Sequence, residues 1–266
     1  MDVKSARQHS ECEYLATDAG SFTSAVVSAT RRLGSARLWW RGHRVAAWHL
    51  RPSLRRNGFD SRERNLNAIF RLKAKARTTN CPRESDALGW LFLMQHYGLP
   101  TRLLDWSQSP LVALYFASEE PDDTDAMVWG LAPTTLNVAE AGLTSICTPG
   151  SRDISRLGMQ AFRSHREPSD ERIMAVLADE ADLRHMVQQA AFTIHGRSSA
   201  LDELADNSRF LSRIRIPAAA KKGFRQVLAL YGITRAGLFP DLENLARDLK
   251  ELEFGQFDPE PPTGTS

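Results

Sequence analysis

The stretch QHYGLPTRLLDWSQSPLVALYFA, residues 95–117, carries most of the information about how this 266-residue chain folds. Gly98 and Pro100 end a preceding helix, so the chain after them is expected to be extended or irregular. Ser109 and Pro110 then predict a new helix, with serine as the N-cap and proline in the first turn, where its missing N–H costs nothing. The residues that follow are apolar on every side, which predicts a buried helix.

The start of this helix is the first candidate site. The free N–H groups of a first helical turn attract anions, and here they would face Asp105, Trp106 and Ser107, with Arg102 just upstream. The same residues also fit a purely structural role. In that interpretation Asp105 and Ser107 cap the helix, and Arg102 pairs with Asp105.

The second informative stretch is ARLWWRGHRVAAWHLRPSLRR, residues 36–56. Leu38 to Trp40 reads as a short buried strand that Arg41 and Gly42 close. A glycine allows a sharp turn or the close approach of a ligand. An arginine at the end of a buried strand needs a carboxylate, a phosphate or an aromatic face. Asp105 is the internal partner, and a phosphate or ribose of a ligand is the functional alternative.

These segments together resemble the FRG domain, over about residues 30–250. The block Gln-His-x-Gly-Leu-Pro-Thr-Arg-Leu-Leu-Asp-Trp is matched at every named position of residues 95–106. A later block departs from the family at Ala190, where glycine is usual. The other matching residues are Trp40, Arg41 and Gly42, with Trp in place of Phe; Trp48, Leu50, Pro52, Ser53 and Leu54; and Arg184, Gln188, Phe192, Thr193 and His195.

A more distant resemblance is to ADP-ribosyltransferases of the Arg-Ser-Glu type. Arg41-Gly42 is similar to the end of their first core strand, and residues 105–107 with the helix residues 113–117 are similar to their second. The resemblance implies NAD as substrate, with Arg41 near its phosphates or ribose and Ser107 orienting the nicotinamide ribose. The third strand of that family supplies a glutamate, which residues 190–195 lack. Gln188 can bind a ribose hydroxyl but brings no charge, so Asp105 either orients Arg41 or supplies the missing charge.

The resulting hypothesis is an ADP-ribosyltransferase-like enzyme that modifies nucleic acid or protein, such as a bacterial toxin or anti-phage effector. The alternative is a nucleotide- or partner-binding module without catalysis, and a nucleic-acid-processing enzyme ranks last. His96 and Tyr97 are counted among the predicted site residues because they lie at the C-terminal end of the helix before Gly98. The predicted catalytic residues are Arg41, Asp105, Ser107 and Gln188, and the predicted NAD-binding residues are Arg41, Gly42, His96, Tyr97, Arg102, Trp106, Ser109 and Phe192.

The composition, 42% hydrophobic and 25% charged, is ordinary for a globular protein. The predicted strands and helices, without repeats or a clear linker, indicate one α+β domain of small mixed sheets flanked by helices, and the second resemblance implies an ADP-ribosyltransferase-like fold. We expect the domain to span residues 21–252, between a polar segment, 1–20, and a disordered tail, 253–266. The chain shows no membrane span or signal core, so a cytoplasmic location without membrane contact is expected. Three scattered cysteines and seven scattered histidines show no ligand spacing, so no metal is expected. P-loop and Rossmann glycine motifs are missing.

Charge is unevenly distributed along the chain. Residues 31–77 hold fourteen basic residues and two acids, whereas the net charge of the whole chain is +2. This segment could attract nucleic acid, a phosphorylated cofactor or an acidic, neutralising protein partner. It could equally be a solvated surface that the acidic residues 119–125 balance in space.

The remaining pattern predicts a set of elements that the structure can test. Asp60 and Glu63 suggest a capping box that opens a helix to about Arg77. Residues 145–172 have no clear period and read as a loop over the site, and residues 172–178 read as helical. Glu180 and Asp182 fall on a predicted helix. Further helices are predicted at 22–33, from 85 to Gly98, 135–141, 217–232 and 241–252, and strands at 127–132, 191–195 and 210–216.

Overall fold

Seven strands form one mixed sheet in the order β1-β7-β4-β2-β3-β6-β5. The computed structural model describes residues 13–56, 58–163, 170–177 and 186–254. Neighbouring strands are antiparallel except β1, which runs parallel to β7. The strands are β1 Glu13–Leu15, β2 Trp39–His43, β3 Leu103–Ser107, β4 Ala126–Leu131, β5 Ile173–Val176, β6 Ala190–His195 and β7 Leu211–Ile216.

Helices pack on this sheet to give a single α+β domain, as the sequence predicts, although the strands join in one sheet instead of several small ones. A large apolar cluster surrounds the central strands, and a smaller one joins α4 and α7 to β5 and β6. The α-helices of the described residues are α1 Ala19–Leu33, α2 Ser53–Arg56, α3 Glu63–Ala74, α4 Ala87–His96, α5 Pro110–Ser118, α6 Pro133–Ala141, α7 Arg152–Gln160, α8 Lys221–Leu230, α9 Arg235–Leu238 and α10 Leu242–Phe254.

Helix α5 begins as its sequence predicts. The Ser109 hydroxyl accepts a hydrogen bond from the Val112 N–H at 3.4 Å, and Pro110 occupies the first turn. The helix lies directly on β2, because Gly42 has no side chain. A Cβ at Gly42 would lie 1.9 Å from the Ala113 carbonyl oxygen. This contact fixes α5 against the strand that carries Arg41.

Strand β2 is longer than predicted. It continues to His43, so Arg41 and Gly42 lie inside the strand and do not close it. The full pairing of residues 39–43 with β4 accounts for the difference, because the ladder passes through the Arg-Gly dipeptide without a turn. The glycine therefore serves close packing of a helix.

The predicted capping box at Asp60 is wrong. Residues 60–62 form a 3₁₀ turn, and neither end of it has a side-chain cap. Helix α3 starts at Glu63, whose carboxylate is buried and bound to Arg102. A buried ion pair thus replaces the local cap that the spacing suggests.

Two further predictions between residues 145 and 178 are wrong. Residues 152–160 form α7, which buries Ile154 and Leu157 in the smaller apolar cluster. Residues 173–176 form β5 instead of a helix, because they pair with β6. A four-residue apolar run does not distinguish the two by periodicity. Arg184, Glu180 and Asp182 lie outside the described residues, as do residues 1–12 and 255–266 of the predicted end segments.

Candidate functional site

A cleft of about 440 Å³ opens between β2, β3 and one side of α5. It brings together Arg41, Asp105 and Gln188, which are far apart in sequence. Gly42, Trp106 and Ser107 of the predicted site also line it. The remaining lining residues are Trp40, Arg44, Trp48, Arg56, Gln95, Val112, Ala113, Phe116 and Glu119.

Adjacent strands place the Arg41 guanidinium beside Asp105. Strands β2 and β3 are antiparallel neighbours with Trp40 opposite Ser107. Nη1 of Arg41 donates to the Asp105 carbonyl oxygen at 2.6 Å and lies 3.8 Å from Oδ2 of its carboxylate. The expected pairing of Arg41 with Asp105 is therefore present, and it uses the backbone as well as the carboxylate.

His43 holds the guanidinium from the other side. Nε of Arg41 donates to Nε2 of His43 at 3.1 Å, and Nδ1 of His43 lies 3.1 Å from the Trp48 carbonyl oxygen. Because arginine cannot accept a hydrogen bond, Nε2 is unprotonated and Nδ1–H donates to Trp48. Burial, reinforced by the Arg41 charge, lowers the pKa of His43 to about 3. The imidazole is thus neutral, and it orients Arg41.

Arg41 keeps one donor group for a ligand. Within the described part of the chain, the hydrogen bonds of its guanidinium use Nε and Nη1 and leave Nη2 without a protein partner. Burial lowers the pKa of Arg41 to about 10, with the neighbouring Asp105 acting in the opposite direction. Arg41 is therefore still cationic at neutral pH, and it lines the cleft with a side chain that is 17% exposed.

Gln95 fixes the carboxylate of Asp105. Its Nε2 donates to Oδ2 of Asp105 at 2.8 Å, and its Oε1 accepts from the Thr101 hydroxyl at 2.5 Å. The Asp105 side chain remains 52% exposed, so its carboxylate faces the open cleft. Sequence reasoning did not assign Gln95 to the site. Its signal was its place in the same Gln-His-x-Gly block as Asp105.

The Ser107 hydroxyl is engaged inside the protein. It donates to the Gln188 carbonyl oxygen at 2.7 Å and accepts from the Ser109 N–H at 3.0 Å. Gln188 in turn donates from Nε2 to the Leu238 carbonyl oxygen at 3.0 Å. The hydrogen bond from the Ser107 hydroxyl therefore holds the backbone of Gln188 at the cleft.

The N-terminus of α5 is not where the cleft lies. The Ser109 and Val112 amides of the N-cap and first turn donate to serine hydroxyls. The cleft meets the helix along its side, at Val112, Ala113 and Phe116. Local capping therefore occupies these two amides, and Ser109 is the N-cap.

Besides Ser109, four of the predicted cofactor-binding residues lie away from the cleft lining. The Arg102 guanidinium is buried against Glu63, with 2.8 Å between Nε and Oε1, so its predicted pairing with Asp105 is also wrong. Phe192 is 1% exposed and packs on the ring of Phe92. His96 and Tyr97 stack edge to face at the end of α4, with ring centroids 4.9 Å apart. Only Gln95 of that helix lines the cleft, because successive helical side chains point in different directions.

Arginines and aromatic rings dominate the walls. The Arg44 guanidinium lies over the Trp48 ring, 5.4 Å from its centroid. In addition to Arg41, the lining contains two more cations, Arg44 and Arg56. In addition to Asp105, it contains a second carboxylate, that of Glu119. Planar rings with several guanidinium groups suit a phosphorylated ligand that has aromatic bases.

A buried lysine holds two walls of the cleft together. The Lys221 ammonium donates to the carbonyl oxygens of Arg44, Glu119 and Pro121, at 2.8, 3.2 and 2.5 Å. Lys221 has no exposed surface, and burial lowers the pKa of its ammonium group. The turn that carries Arg44 is thereby fixed against the end of α5.

Several arginines of the basic segment 31–77 have partners within the protein. Arg51 binds Glu203, Arg55 binds Asp60, and the Arg71 guanidinium lies over the Trp90 and Phe162 rings. Of the segment's described basic residues, Arg41, Arg44 and Arg56 line the cleft. The acidic residues 119–125 pair instead with later arginines: Arg215, Arg225 and Arg235.

Neither a metal-binding cluster nor a membrane-spanning helix is present in the described part of the chain. There, no three histidine, cysteine, aspartate or glutamate side chains come together in a way that could hold a metal ion. In the same part of the chain, no helix combines the length and apolar character needed to cross a membrane.

Fold and site together define an α+β domain whose Arg-Gly strand and Asp-Trp-Ser strand frame one cleft. Residues 36–126 match the model of the FRG domain. The match includes β2, β3 and α5 but ends before the segment that carries Gln188. No curated protein and no solved structure matches the chain.

Proposed function

We propose that the cleft binds NAD and that the protein transfers ADP-ribose from it to a macromolecule. The observation that carries the proposal is the arrangement of Arg41, held by His43 and Asp105 with Nη2 available, beside the exposed Asp105 carboxylate. A fixed guanidinium suits a phosphate, and a carboxylate suits the positive charge that develops on the ribose.

The chemistry assigns separate tasks to the cleft residues. The bond between C1′ of the ribose and the nicotinamide nitrogen breaks, and nicotinamide leaves with the electron pair. The acceptor then bonds to C1′ and releases its proton. Asp105 stabilises the ribosyl cation between these events, and Arg41 with Arg44 and Arg56 holds the pyrophosphate. Oε1 of Gln188 accepts from a ribose hydroxyl, while Ser107 positions Gln188.

Such an enzyme would act as a bacterial toxin or anti-phage effector, with a neutralising protein partner where the host must be protected. Both nucleic acid and protein are candidate acceptors. The three cleft arginines favour a phosphorylated acceptor, because it brings further negative charge to the same walls.

The test is incubation with NAD labelled on its adenylate half and a cell extract that contains protein and nucleic acid. The variants are Arg41→Lys and Asp105→Asn, and the matched control is Arg64→Ala, an exposed arginine outside the cleft. We expect label transfer and nicotinamide release with the unchanged protein and the control. Both cleft variants should lose about 100-fold, as when one electrostatic group of a transition state is removed.

Folding of each variant is checked by circular dichroism and thermal unfolding. Nicotinamide release at the same rate by folded Asp105→Asn would refute the catalytic role of Asp105. If the folded, unchanged protein consumes no NAD in the extract, the transferase proposal fails.

A second candidate is a nucleotide-binding module without catalysis. Two observations favour it: the Ser107 hydroxyl is already bound to Gln188, and residues 190–195 contain no glutamate. This function predicts saturable NAD binding in calorimetry, weakened by Arg41→Lys, without any release of nicotinamide.

A further inference from the structure

Helix α10 presents its apolar side to solvent. Leu242, Leu245 and Leu249 are 82, 45 and 50% exposed. Their spacing of three and then four residues places them on one side of the helix. A surface helix of a globular domain usually buries such a stripe, so this orientation is the reverse of the normal one.

The polar side of α10 is the side that holds it to the domain. Oδ2 of Asp248 accepts from the Ala236 N–H at 2.8 Å, and Oδ1 of Asn244 accepts from Nε of Arg235 at 2.7 Å. These bonds dock α10 on α9 and direct the leucines away. A contiguous exposed apolar stripe of this kind marks an interaction surface.

The same chain carries a second unpartnered apolar surface on α3. Ile69 and Leu72 are 45 and 76% exposed, whereas Asn67 and Ala74 on the opposite side are buried. Exposed Arg64 and Lys73 belong to the same helix. Helix α3 therefore combines a short apolar face with basic residues.

The two helices carry opposite net charge. Helix α10 contains four carboxylates and two basic residues, and one of the basic residues, Arg247, already lies 3.9 Å from Glu243. The single acid of α3, Glu63, is buried against Arg102, so the outer side of α3 presents only basic charge. Opposite net charge on two helices with exposed apolar residues favours their contact.

We propose that the leucine face of α10 docks on the Ile69–Leu72 face of α3 in a second copy of this chain. Both halves of the interface are present on one sequence, so no other protein is required. Two such contacts related by a twofold axis close a dimer, and one contact per copy builds a longer assembly. The assignment does not depend on the proposed enzymatic activity.

The first test is the mass of the full-length protein by sedimentation velocity over a hundredfold range of concentration. We expect the mass to rise with concentration, and to rise less at 0.5 M than at 0.05 M salt because the charges are then screened. Leu245→Gln with Leu249→Gln, and separately Leu72→Gln, should each weaken association at least about tenfold. The control is Leu230→Gln, which is 85% exposed but lies on α8.

The second test identifies which surfaces meet. Leu249→Cys and Leu72→Cys proteins of different tag length, with Cys12 and Cys81 changed to serine in both, are mixed and oxidised. A mixed disulfide between the two tags supports the α10–α3 contact. A monomer at every concentration overturns the proposal, and so does a disulfide that forms only between two Leu249→Cys chains.

Discussion

Two neighbouring residues of one motif perform different tasks in this domain. The Arg41 side chain enters the cleft, where His43 and the Asp105 carbonyl fix its guanidinium. Gly42 also borders the cleft, but its missing side chain is what lets the backbone of α5 rest on β2. The Arg-Gly pair thus joins a cation that lines the cleft to the packing contact that shapes it.

At this scale we predict that Gly42→Ala destabilises the protein by about 3 kcal/mol or more, because the added methyl meets helix backbone that cannot move alone. The Cβ would lie 1.9 Å from the Ala113 oxygen and 2.6 Å from the Ala117 nitrogen. Urea unfolding measures the effect. Gly223→Ala is the control, since no atom lies within 4 Å of its Cβ position in α8, and it should be neutral or slightly stabilising. Equal stability of the two variants would contradict the packing role of Gly42.

Between elements, Arg102 and Glu63 form a buried ion pair. It joins the start of β3 to the first turn of α3, with side chains only 5 and 4% exposed. Arg102 also donates to Oε1 of Gln160, at 3.2 Å, which brings α7 into the same contact. Arg102 therefore organises three elements behind the cleft instead of binding a ligand in it.

We predict that Glu63→Gln lowers the free energy of unfolding by about 3–5 kcal/mol, because it leaves the Arg102 charge buried without its counter-ion. Glu63→Leu combined with Arg102→Met should cost less than Glu63→Gln alone, since no uncompensated charge remains. Chemical unfolding of the three proteins makes the comparison. If the double variant is less stable than Glu63→Gln, the ion pair itself stabilises the fold. The cost of Glu63→Gln then does not come from the unpaired charge of Arg102.

At the scale of the whole molecule, two buried histidines couple stability to pH. Burial lowers the pKa of His43 and of His195 to about 3, and nearby arginines act in the same direction. Histidine in the unfolded chain titrates near pH 6.5. Between these values the unfolded chain binds protons that the folded chain excludes, so stability must fall as the pH falls from about 6.5 toward 3.

We predict a loss of about 2 kcal/mol for each of the two histidines between pH 7 and pH 5, at about 1.4 kcal/mol per pH unit below pH 6.5. His43→Gln should lose less stability over this interval than the unchanged protein. The measurement is urea unfolding of both proteins at pH 7, 6 and 5. Parallel loss in the two would mean that His43 is not neutral and buried in the folded state.

Elements with strong local signals could be predicted from the amino-acid sequence. Ser109 and Pro110 specify the start of α5, and Gly34, with φ of 61°, ends α1 as expected of a left-handed cap. The α+β class and the FRG resemblance also follow from the chain, because each depends on short-range pattern or on contiguous motifs. Where the local signal was weak, as at residues 173–176, the prediction was wrong, because pairing with β6 decides that segment.

The partners of the buried polar residues depend on the tertiary structure. Arg102 and Asp105 are three positions apart, yet Arg102 binds Glu63 and Asp105 binds Gln95. His43, which accepts from Arg41, has no sequence motif of its own. The same holds for Lys221, which donates to the carbonyl oxygens of Arg44 and Glu119. A buried charge is costly unless it is paired, so each one binds a group that the sheet and helices bring within about 3 Å. Which group lies that close depends on strand order and helix packing across the whole domain.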